Sequence, residues 1–234
     1  MCAELTWYGQ SAFMITTKTC SVLIDPYFSN SIDSQGFIRS YDSPVKKGEL
    51  KVNYVISSHN HGDHMDVETL RDYITFDKFY GPKSCTEALG AAGFASDKIV
   101  TFDRGDTVSL GDVKCTAVYA EHTPDSIGVV AECGGTKLYF TGDSLMSRKL
   151  REIKDLSPDV LLTCINGKFG NMTWQEAVIF AHTLGVKTAI PAHYDLFAIN
   201  RENPALFAEA FERSPINAKI LERCKAYDIQ SLLN

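Results

Sequence analysis

The sequence predicts an α/β (α+β) protein in which two β-rich layers lie between outer helices, a four-layer αββα sandwich. Short runs of aromatic and β-branched residues fill the first 25 positions, and further runs with β periodicity lie between residues 98 and 140. A succession of strand, polar loop and helix occurs in both halves, around 52–73 and 159–184. The length of 234 residues suits one large core, so we expect a single domain over residues 1–234.

The overall charge limits the partners that the protein can attract. The formal net charge is −6, so the chain has no basic field for a polyanion, and nucleic acid is not an expected partner. No 18-residue apolar run occurs, and residues 1–4 lack the cationic and apolar regions of an export signal. We therefore expect a cytoplasmic protein that has no membrane partner and acts on a small molecule. Formation of a homo-oligomer is left open.

Cysteine usage agrees with a reducing compartment. The cysteines are odd in number, lie singly among apolar neighbours and form no C-x-x-C pair. They occupy positions 2, 20, 85, 115, 133, 164 and 224. We expect reduced thiols in the core.

The N-terminal part predicts a small antiparallel meander followed by a long connection. Residues 5–8, 12–17 and 21–24 read as strands separated by turns, and Asp25 before Pro26 closes the third strand. Residues 27–50 are polar and irregular. Long connections of this kind often cover a site, so this segment is a candidate lid.

A stretch rich in histidine and aspartate, residues 57–66, follows the apolar run at 52–56. His59 and His61 alternate along an extended segment and share a face, so they can bind one ion. The alternative is a polar surface loop that is rich in histidine. However, three of the six histidines lie within six positions here, which favours a metal site at the end of a strand.

The second half of this stretch predicts a second metal position. Gly62 permits a tight turn that brings Asp63 and His64 round to a point beside the first position. Asp66 is the expected N-cap of a helix over residues 67–73. Its carboxylate is also a candidate to hold the ring of a ligating histidine from the second shell. The stretch therefore predicts a two-metal layout.

Three later residues, each following a predicted strand, are further candidate ligands. They are His122, Asp143 and His193. A lone histidine after a strand is more often an ordinary loop residue, but the position of His122 between the other candidates favours a ligand. The ligand candidates therefore all lie at strand ends.

Two helix starts carry the spacing of a capping box. Ser84 with Glu87, and Thr173 with Glu176, each place a hydroxyl three positions before a glutamate. His182 lies inside the second of these helices, and we expect it to serve helical packing and not the chemistry.

The motif His59-x-His61-x-Asp63-His64 resembles the H-x-H-x-D-H signature of the metallo-β-lactamase superfamily. A longer similarity covers most of residues 51–215 and is to the L-ascorbate-6-phosphate lactonase family within it. The matching pieces are residues 59–66, 81–85, 105–108, 141–144 and 191–195. Members of that lactonase family are longer, with added N-terminal sequence and an insertion after the strand that ends here near Tyr119.

The resemblance implies a ligand set for two divalent ions. His59, His61 and His122 would hold one ion, Asp63, His64 and His193 the other, with Asp143 bridging them. Imidazole and carboxylate without thiolate admit zinc, manganese or iron. The resemblance also implies that Asp25 lies beneath the site in the second shell, and a simple turn former before proline is the alternative that stays open.

The resemblance further implies a metal-dependent hydrolase that opens a small phosphorylated sugar lactone by hydroxide attack at the metals. Asp63 is the expected catalytic residue, taking the proton of the attacking water. Asn166, Lys168 and Asn171, before the Thr173 helix, are the candidate phosphate donors, although a loop lysine is often just solvated. The other functions weighed are a phosphodiesterase or nuclease of the same fold and a non-catalytic metal-binding protein.

Overall fold

The computed structural model describes residues 3–234, and most of its strands form two seven-stranded sheets. In spatial order the first sheet contains β16 (Ala226–Asp228), β1 (Glu4–Gly9), β2 (Ala12–Thr16), β3 (Ser21–Ile24), β5 (Tyr54–Ile56), β7 (Lys78–Gly81) and β8 (Ile99–Thr101). The second contains β15 (Asn217–Ala218), β14 (Thr188–Ala192), β13 (Val160–Cys164), β12 (Thr136–Phe140), β11 (Ile127–Cys133), β10 (Val113–Tyr119) and β9 (Thr107–Leu110). A separate ribbon pairs β4 (Leu50–Lys51) with β6 (Ile74–Thr75).

Each sheet is half antiparallel and half parallel. In the first sheet β1, β2 and β3 form the predicted meander, and β3, β5, β7 and β8 run parallel. In the second sheet β9 to β12 are antiparallel, and β12 to β15 run parallel. The parallel strands end at one edge of their sheet, where ligand sites of α/β proteins commonly lie.

The helices are short and lie between strands or after them. The α-helices are α1 (Lys83–Ala91), α2 (Trp174–Leu184) and α3 (Pro204–Glu209). The 3₁₀ helices span Asp33–Gln35, Ser96–Lys98, Arg148–Leu156, Ala198–Asn200 and Ile229–Leu233. A π-helical turn spans Thr69–Tyr73.

The main core lies between the sheets. Phe13 of β2 packs against Phe140 of β12 with ring centroids 5.5 Å apart, which joins the two inner faces. On the outer side of the first sheet, Leu89 of α1 is buried in one cluster with Phe79 of β7. On the outer side of the second, Phe180 of α2 meets Tyr139 of β12 edge-on at 6.1 Å. Helix, sheet, sheet and helix are therefore stacked, and the predicted αββα fold class is confirmed.

One of the two predicted capping boxes forms. Thr173 accepts a hydrogen bond from the Glu176 amide at 3.2 Å, and the Glu176 carboxylate accepts one from the Thr173 amide at 2.9 Å. The prediction for Ser84 was wrong, because Pro82 is the N-cap of α1 and the Ser84 hydroxyl and amide both donate to Asp125. A carboxylate distant in sequence has taken the place of the local cap.

The cysteines agree with the reduced state that we expected, with one difference in burial. Cys2 lies outside the described residues. Five thiols are free and buried: Cys20, Cys85, Cys115, Cys133 and Cys164. Cys224 is free but exposed, so its assignment to the core was wrong. Across residues 3–234, no helix combines the length and apolar character that crossing a membrane requires.

Candidate metal centre

Four strand ends from both sheets meet at one point. The loop after β5 carries the histidine-rich motif, and the loops after β10, β12 and β14 carry His122, Asp143 and His193. Their ligand atoms fall into two groups, each with all its donors within 4.8 Å of one another. The seven residues predicted as metal ligands are thus brought together, and they form a His/Asp cluster able to bind metal ions.

The first group contains His59, His61, His122 and Asp143. His59 Nε2 lies 3.0 Å from His61 Nδ1, which in turn lies 3.2 Å from His122 Nε2. Burial lowers the pKa of His59 well below its ordinary value, and the neighbouring His64 lowers it further. The ring of His59 is therefore neutral at physiological pH, which is the form of histidine that binds metal.

The second group contains Asp63, His64 and His193. His193 Nε2 lies 3.2 Å from Asp63 Oδ2, and His64 Nε2 lies 3.6 Å from the same oxygen. Asp143 Oδ1 lies 3.2 Å from both of these ring nitrogens, and Asp143 Oδ2 lies 3.7 Å from His122 Nε2. The carboxylate of Asp143 therefore lies between the two groups, in the place expected for a bridging residue.

The donor set fits a cation. His64 Nε2 and Asp143 Oδ1 are buried and have no hydrogen-bond partner among the described residues, although they lie 3.2 Å apart. A buried polar atom without a partner costs about 1–3 kcal/mol, so both atoms need a further ligand. Burial by itself would lower the pKa of His64, but Asp143, Asp63 and Asp25 outweigh it and raise that pKa well above the usual value. The carboxylates thus favour positive charge at this point, which a divalent ion supplies.

Polar groups behind the histidine rings fix the orientation of His64 and His122. Asp25 Oδ2 lies 2.8 Å from His64 Nδ1, and the Gly170 carbonyl oxygen lies 3.1 Å from His122 Nδ1. Each contact fixes the outer ring nitrogen as the one that carries hydrogen, so Nε2 faces the cluster. Asp25 also accepts hydrogen bonds from the amide and hydroxyl of Ser58, and its predicted place beneath the site agrees with these contacts.

Asp66 has a different role from the one predicted for its carboxylate. It accepts hydrogen bonds from the Glu68 and Thr69 amides, and so caps, as expected, the helical segment that begins at Val67 and continues into the π-helical turn. Its remaining contacts are with the hydroxyls of Ser29 and Thr69, and no described contact joins it to a histidine ring. Asp66 therefore ties the 27–50 segment to the motif and does not hold a ligand.

The three candidate phosphate donors lie in the loop before α2, but they do not line the cavity over the cluster. The Lys168 ammonium donates to the Ile199 carbonyl at 3.0 Å. The Asn171 side chain accepts from the Ser144 amide at 3.1 Å, and the Asn166 side chain donates to the Lys168 carbonyl at 3.4 Å. These contacts stabilise the loop, and none of them supports binding of phosphate.

A cavity of about 250 Å³ opens onto the cluster. One side is formed by ligand candidates and Gly62, and the other by Ile32, Gln35, Phe37, Phe169 and Asn200. Phe37 packs edge-on against Phe169 at 5.6 Å and against Phe197 at 5.5 Å. Because three of these lining residues belong to the 27–50 segment, the candidate lid forms one wall of the cavity.

Gln10 also belongs to the centre, although no motif in the sequence predicts it. Its side-chain Nε2 donates to Asp63 Oδ2 at 2.8 Å, and only 1% of the residue is exposed. A single glutamine in the turn between β1 and β2 has no metal-ligand spacing, and it is 53 residues from Asp63 in sequence. The only local signal was the Gly9-Gln10 turn itself.

Comparison with known proteins identifies the family. Residues 21–194 match the family described as "Beta-lactamase superfamily domain". The chain belongs to this superfamily. A UPF0173 metal-dependent hydrolase of Anaeromyxobacter dehalogenans is 31% identical to it, over 83% of this chain and 75% of the relative. One of Archaeoglobus fulgidus is 27% identical, over 93% and 94% of the two chains. The protein is a metal-dependent hydrolase of the metallo-β-lactamase superfamily.

Solved structures share the fold. Igni18, a metallo hydrolase from Ignicoccus hospitalis, is 21% identical with a TM-score of 0.77, covering 97% of this chain and 98% of its own. An isothiocyanate hydrolase from Delia radicum gut bacteria is 16% identical with a TM-score of 0.74, covering 96% and 98%. At these identities the similarity shows the common fold alone.

Proposed function

We propose that the protein hydrolyses a small lactone or related carboxylic ester, with two divalent ions of zinc, manganese or iron at the two donor groups. The observation that carries the proposal is the position of Asp143 between the groups at the floor of the cavity. Similarity to the lactonase family over residues 51–215 supports a lactone as substrate. The proposed partner is therefore a small molecule.

When bound, the ions would supply a polarised carbonyl and an acidified water. Among this chain's own groups, Asp63 is the proposed proton acceptor, since it faces the cavity with its side chain 15% exposed. Burial opposes its ionisation, but His64 and His193 hold its pKa well below the usual value, so it is a carboxylate before reaction. In the proposed reaction water adds its oxygen to the carbonyl carbon while Asp63 takes one of its protons. The ring C–O bond then breaks, that proton passes from Asp63 to the ring oxygen, and a hydroxy acid leaves.

The cavity wall indicates the kind of substituent that the lactone carries. Ile32, Phe37 and Phe169 present apolar surface, and Gln35 and Asn200 supply amides. Asn200 Oδ1 is buried without a hydrogen-bond partner among the described residues, so it can accept a hydrogen bond from a substrate N–H or O–H.

The same wall argues against a phosphorylated substrate. None of the described residues lining the cavity is lysine or arginine. The Lys168 ammonium is bound to the Ile199 carbonyl, and Arg39 donates to the carbonyls of Tyr27 and Tyr41. A phosphate would therefore lack the charge-assisted hydrogen bonds that such groups require. The proposed substrate is an uncharged lactone, which replaces the phosphorylated sugar lactone predicted from sequence.

Parallel kinetics on four compounds test the proposal: a lactone with an apolar substituent, its unsubstituted analogue, L-ascorbate 6-phosphate and bis(p-nitrophenyl) phosphate. We expect the apolar lactone to have the highest kcat/KM, and we expect chelator to abolish its turnover. Turnover of the phosphodiester alone would identify a phosphodiesterase. Absence of turnover by fully metal-loaded protein would favour the non-catalytic alternative.

A further inference from the structure

Another cavity lies away from the metal centre, between β10 and the 3₁₀ helix Arg148–Leu156. Its volume is about 430 Å³, and small-molecule sites commonly measure roughly 300–1,000 Å³. It shares no lining residue with the cavity over the metal centre. The proposed reaction does not use this cavity, so its lining points to a separate role.

Arg104 and Lys149 stand beside one aromatic ring in the lining. The guanidinium carbon of Arg104 lies 4.5 Å from the centroid of the Tyr119 ring, and the ammonium nitrogen of Lys149 lies 4.9 Å from it. Within residues 3–234, neither cation forms an ion pair with a carboxylate. Two like charges beside one ring repel each other, and an anion next to them would offset that repulsion.

Arg104 is held in place with part of its hydrogen-bonding capacity unused. Its Nε donates to the Ser126 carbonyl at 3.2 Å, and one terminal nitrogen donates to the Pro124 carbonyl at 2.9 Å. Its other N–H groups have no acceptor among the described residues, although a guanidinium has several more to offer. Because the two carbonyls already fix the side chain, a ligand would lose little free energy in ordering it.

The start of the 3₁₀ helix adds to the positive potential at this point. The Ser147 hydroxyl caps the helix and accepts a hydrogen bond from the Lys149 amide at 3.3 Å. The first turn carries Arg148 and Lys149 but no acidic residue. The N-terminal end of a helix is the positive end of its dipole, where carboxylates are favoured and cations are not. This arrangement favours an anion supplied by a ligand.

Most of the remaining lining is apolar. Ala117 and Val118 contribute from β10, and Ile153 and Leu156 contribute from the helix. Glu152 is the one carboxylate among the described lining residues, so with the two cations the lining carries a single net positive charge. One carboxylate balances that charge, whereas a phosphate dianion exceeds it. An apolar chain attached to the carboxylate would cover the apolar wall, which an inorganic anion would leave in contact with water.

We propose that this cavity binds a medium-chain carboxylate, with its carboxylate group at Arg104 and Lys149 and its chain along the apolar wall. This role goes beyond the proposed function. The hydroxy acid formed in the proposed reaction belongs to the same chemical class, but the site does not depend on that reaction.

The experiment is an NMR titration of full-length, zinc-loaded protein with octanoate. Acetate and octanol are the matched probes, since they carry only the carboxylate or only the chain. We expect octanoate to shift the backbone amide signals of Val118, Tyr119 and Ile153, with a dissociation constant about tenfold or more below that of either matched probe. Shifts confined to Gly62 and Phe169, beside the metal centre, would overturn the proposal.

Substitution of the two cations tests the position of the carboxylate group. Lys149→Gln and Arg104→Gln should each weaken octanoate binding by about tenfold. Lys154→Gln is the matched control, since Lys154 is exposed on the same helix and does not line the cavity. If Arg104→Gln does not fold, the comparison of Lys149→Gln with Lys154→Gln still decides. Equal dissociation constants in these variants, or equal binding of octanol and octanoate, would overturn the proposal.

The same titrations separate this site from other occupants and from the proposed function. If the three amide signals shift when the protein is concentrated without octanoate, a second copy of the chain covers the cavity and the proposal is wrong. No lactone is present in these titrations. Octanoate binding by a protein that hydrolyses no lactone would refute the proposed function and leave this inference standing.

Discussion

Asp25 Oδ2 lies 2.8 Å from His64 Nδ1, and both side chains are buried. The carboxylate accepts the Nδ1 hydrogen, so Nε2 of His64 is the nitrogen that faces Asp143. In Asp25→Asn the atom that faces His64 Nδ1 becomes either an amide NH₂ group, which cannot accept the hydrogen, or an amide oxygen, which accepts it more weakly than a carboxylate. We expect it to lower metal affinity by about 10–100-fold, the usual effect of losing a carboxylate that holds the ring of a metal-binding histidine. Calorimetric titration of metal-depleted protein measures the change.

Asp66→Asn is the matched control for this variant. Asp66 is buried like Asp25, but it contacts the 27–50 segment and the helix start, and no contact within residues 3–234 joins it to a histidine ring. It should lower the unfolding temperature and leave metal affinity unchanged. Equal loss of affinity in both variants would contradict the role assigned to Asp25.

His122 belongs to the metal centre, whereas His182 is the one histidine that lies outside it. His182 lies on α2, exposed, and stacks on Phe211 with ring centroids 5.7 Å apart. His182→Asn should leave kcat within a few-fold, whereas His122→Asn should lower it by orders of magnitude because a ligand is lost. Steady-state kinetics of both variants on one lactone test this division. Similar losses in the two would contradict it.

Two neighbouring loop residues distinguish an apolar substrate from a phosphorylated one. Phe169 is 53% exposed at the cavity mouth and packs on Phe37, while the Lys168 ammonium is held by the Ile199 carbonyl. Phe169→Ala should lower kcat/KM for an apolar lactone by about fivefold, which corresponds to roughly 1 kcal/mol of aromatic contact. Lys168→Ala should have no such effect. A larger loss in Lys168→Ala, confined to L-ascorbate 6-phosphate, would restore the phosphorylated lactone as substrate.

The capping box of α2 gives a prediction about stability. The side chains of Thr173 and Glu176 each accept a hydrogen bond from the backbone amide of the other residue at the start of α2. Thr173→Ala should cost about 1 kcal/mol of unfolding free energy. For a chain of this length that corresponds to a fall in Tm of about 2–4 °C, measurable by calorimetry. The Thr183 hydroxyl donates to the Ile179 carbonyl within α2, so Thr183→Ala is the control and should lower the unfolding free energy by less. An unchanged Tm in Thr173→Ala would contradict the cap.

The parts of the centre that could be predicted are those that depend on local order along the chain. His59 and His61 alternate after β5, and His122, Asp143 and His193 each follow a strand. Because the strands converge at one edge, this local position was enough to bring the donors together. Thr173 shows the same rule for helices, since both partners of its cap lie within three residues.

The parts that could not be predicted depend on contacts between distant residues. Ser84 donates to Asp125, which is 41 residues away, and so does not cap its own helix. Gln10 reaches Asp63 only because the turn after β1 lies beside the loop after β5 in the folded chain. The cavity wall likewise combines Phe37 with Phe169, and neither residue carries a signal for the other in sequence.

The central claim is that Asp143 joins two donor groups that bind the ions needed for hydrolysis. The most direct measurement is the metal content of protein purified without chelator, with lactone hydrolysis assayed on the same samples. We expect up to two transition ions per chain in the wild type, a loss at both positions in Asp143→Ala, and a parallel loss of activity. If Asp143→Ala and His59→Ala both kept the metal content and the activity of the wild-type protein, the assignment of this centre would be contradicted.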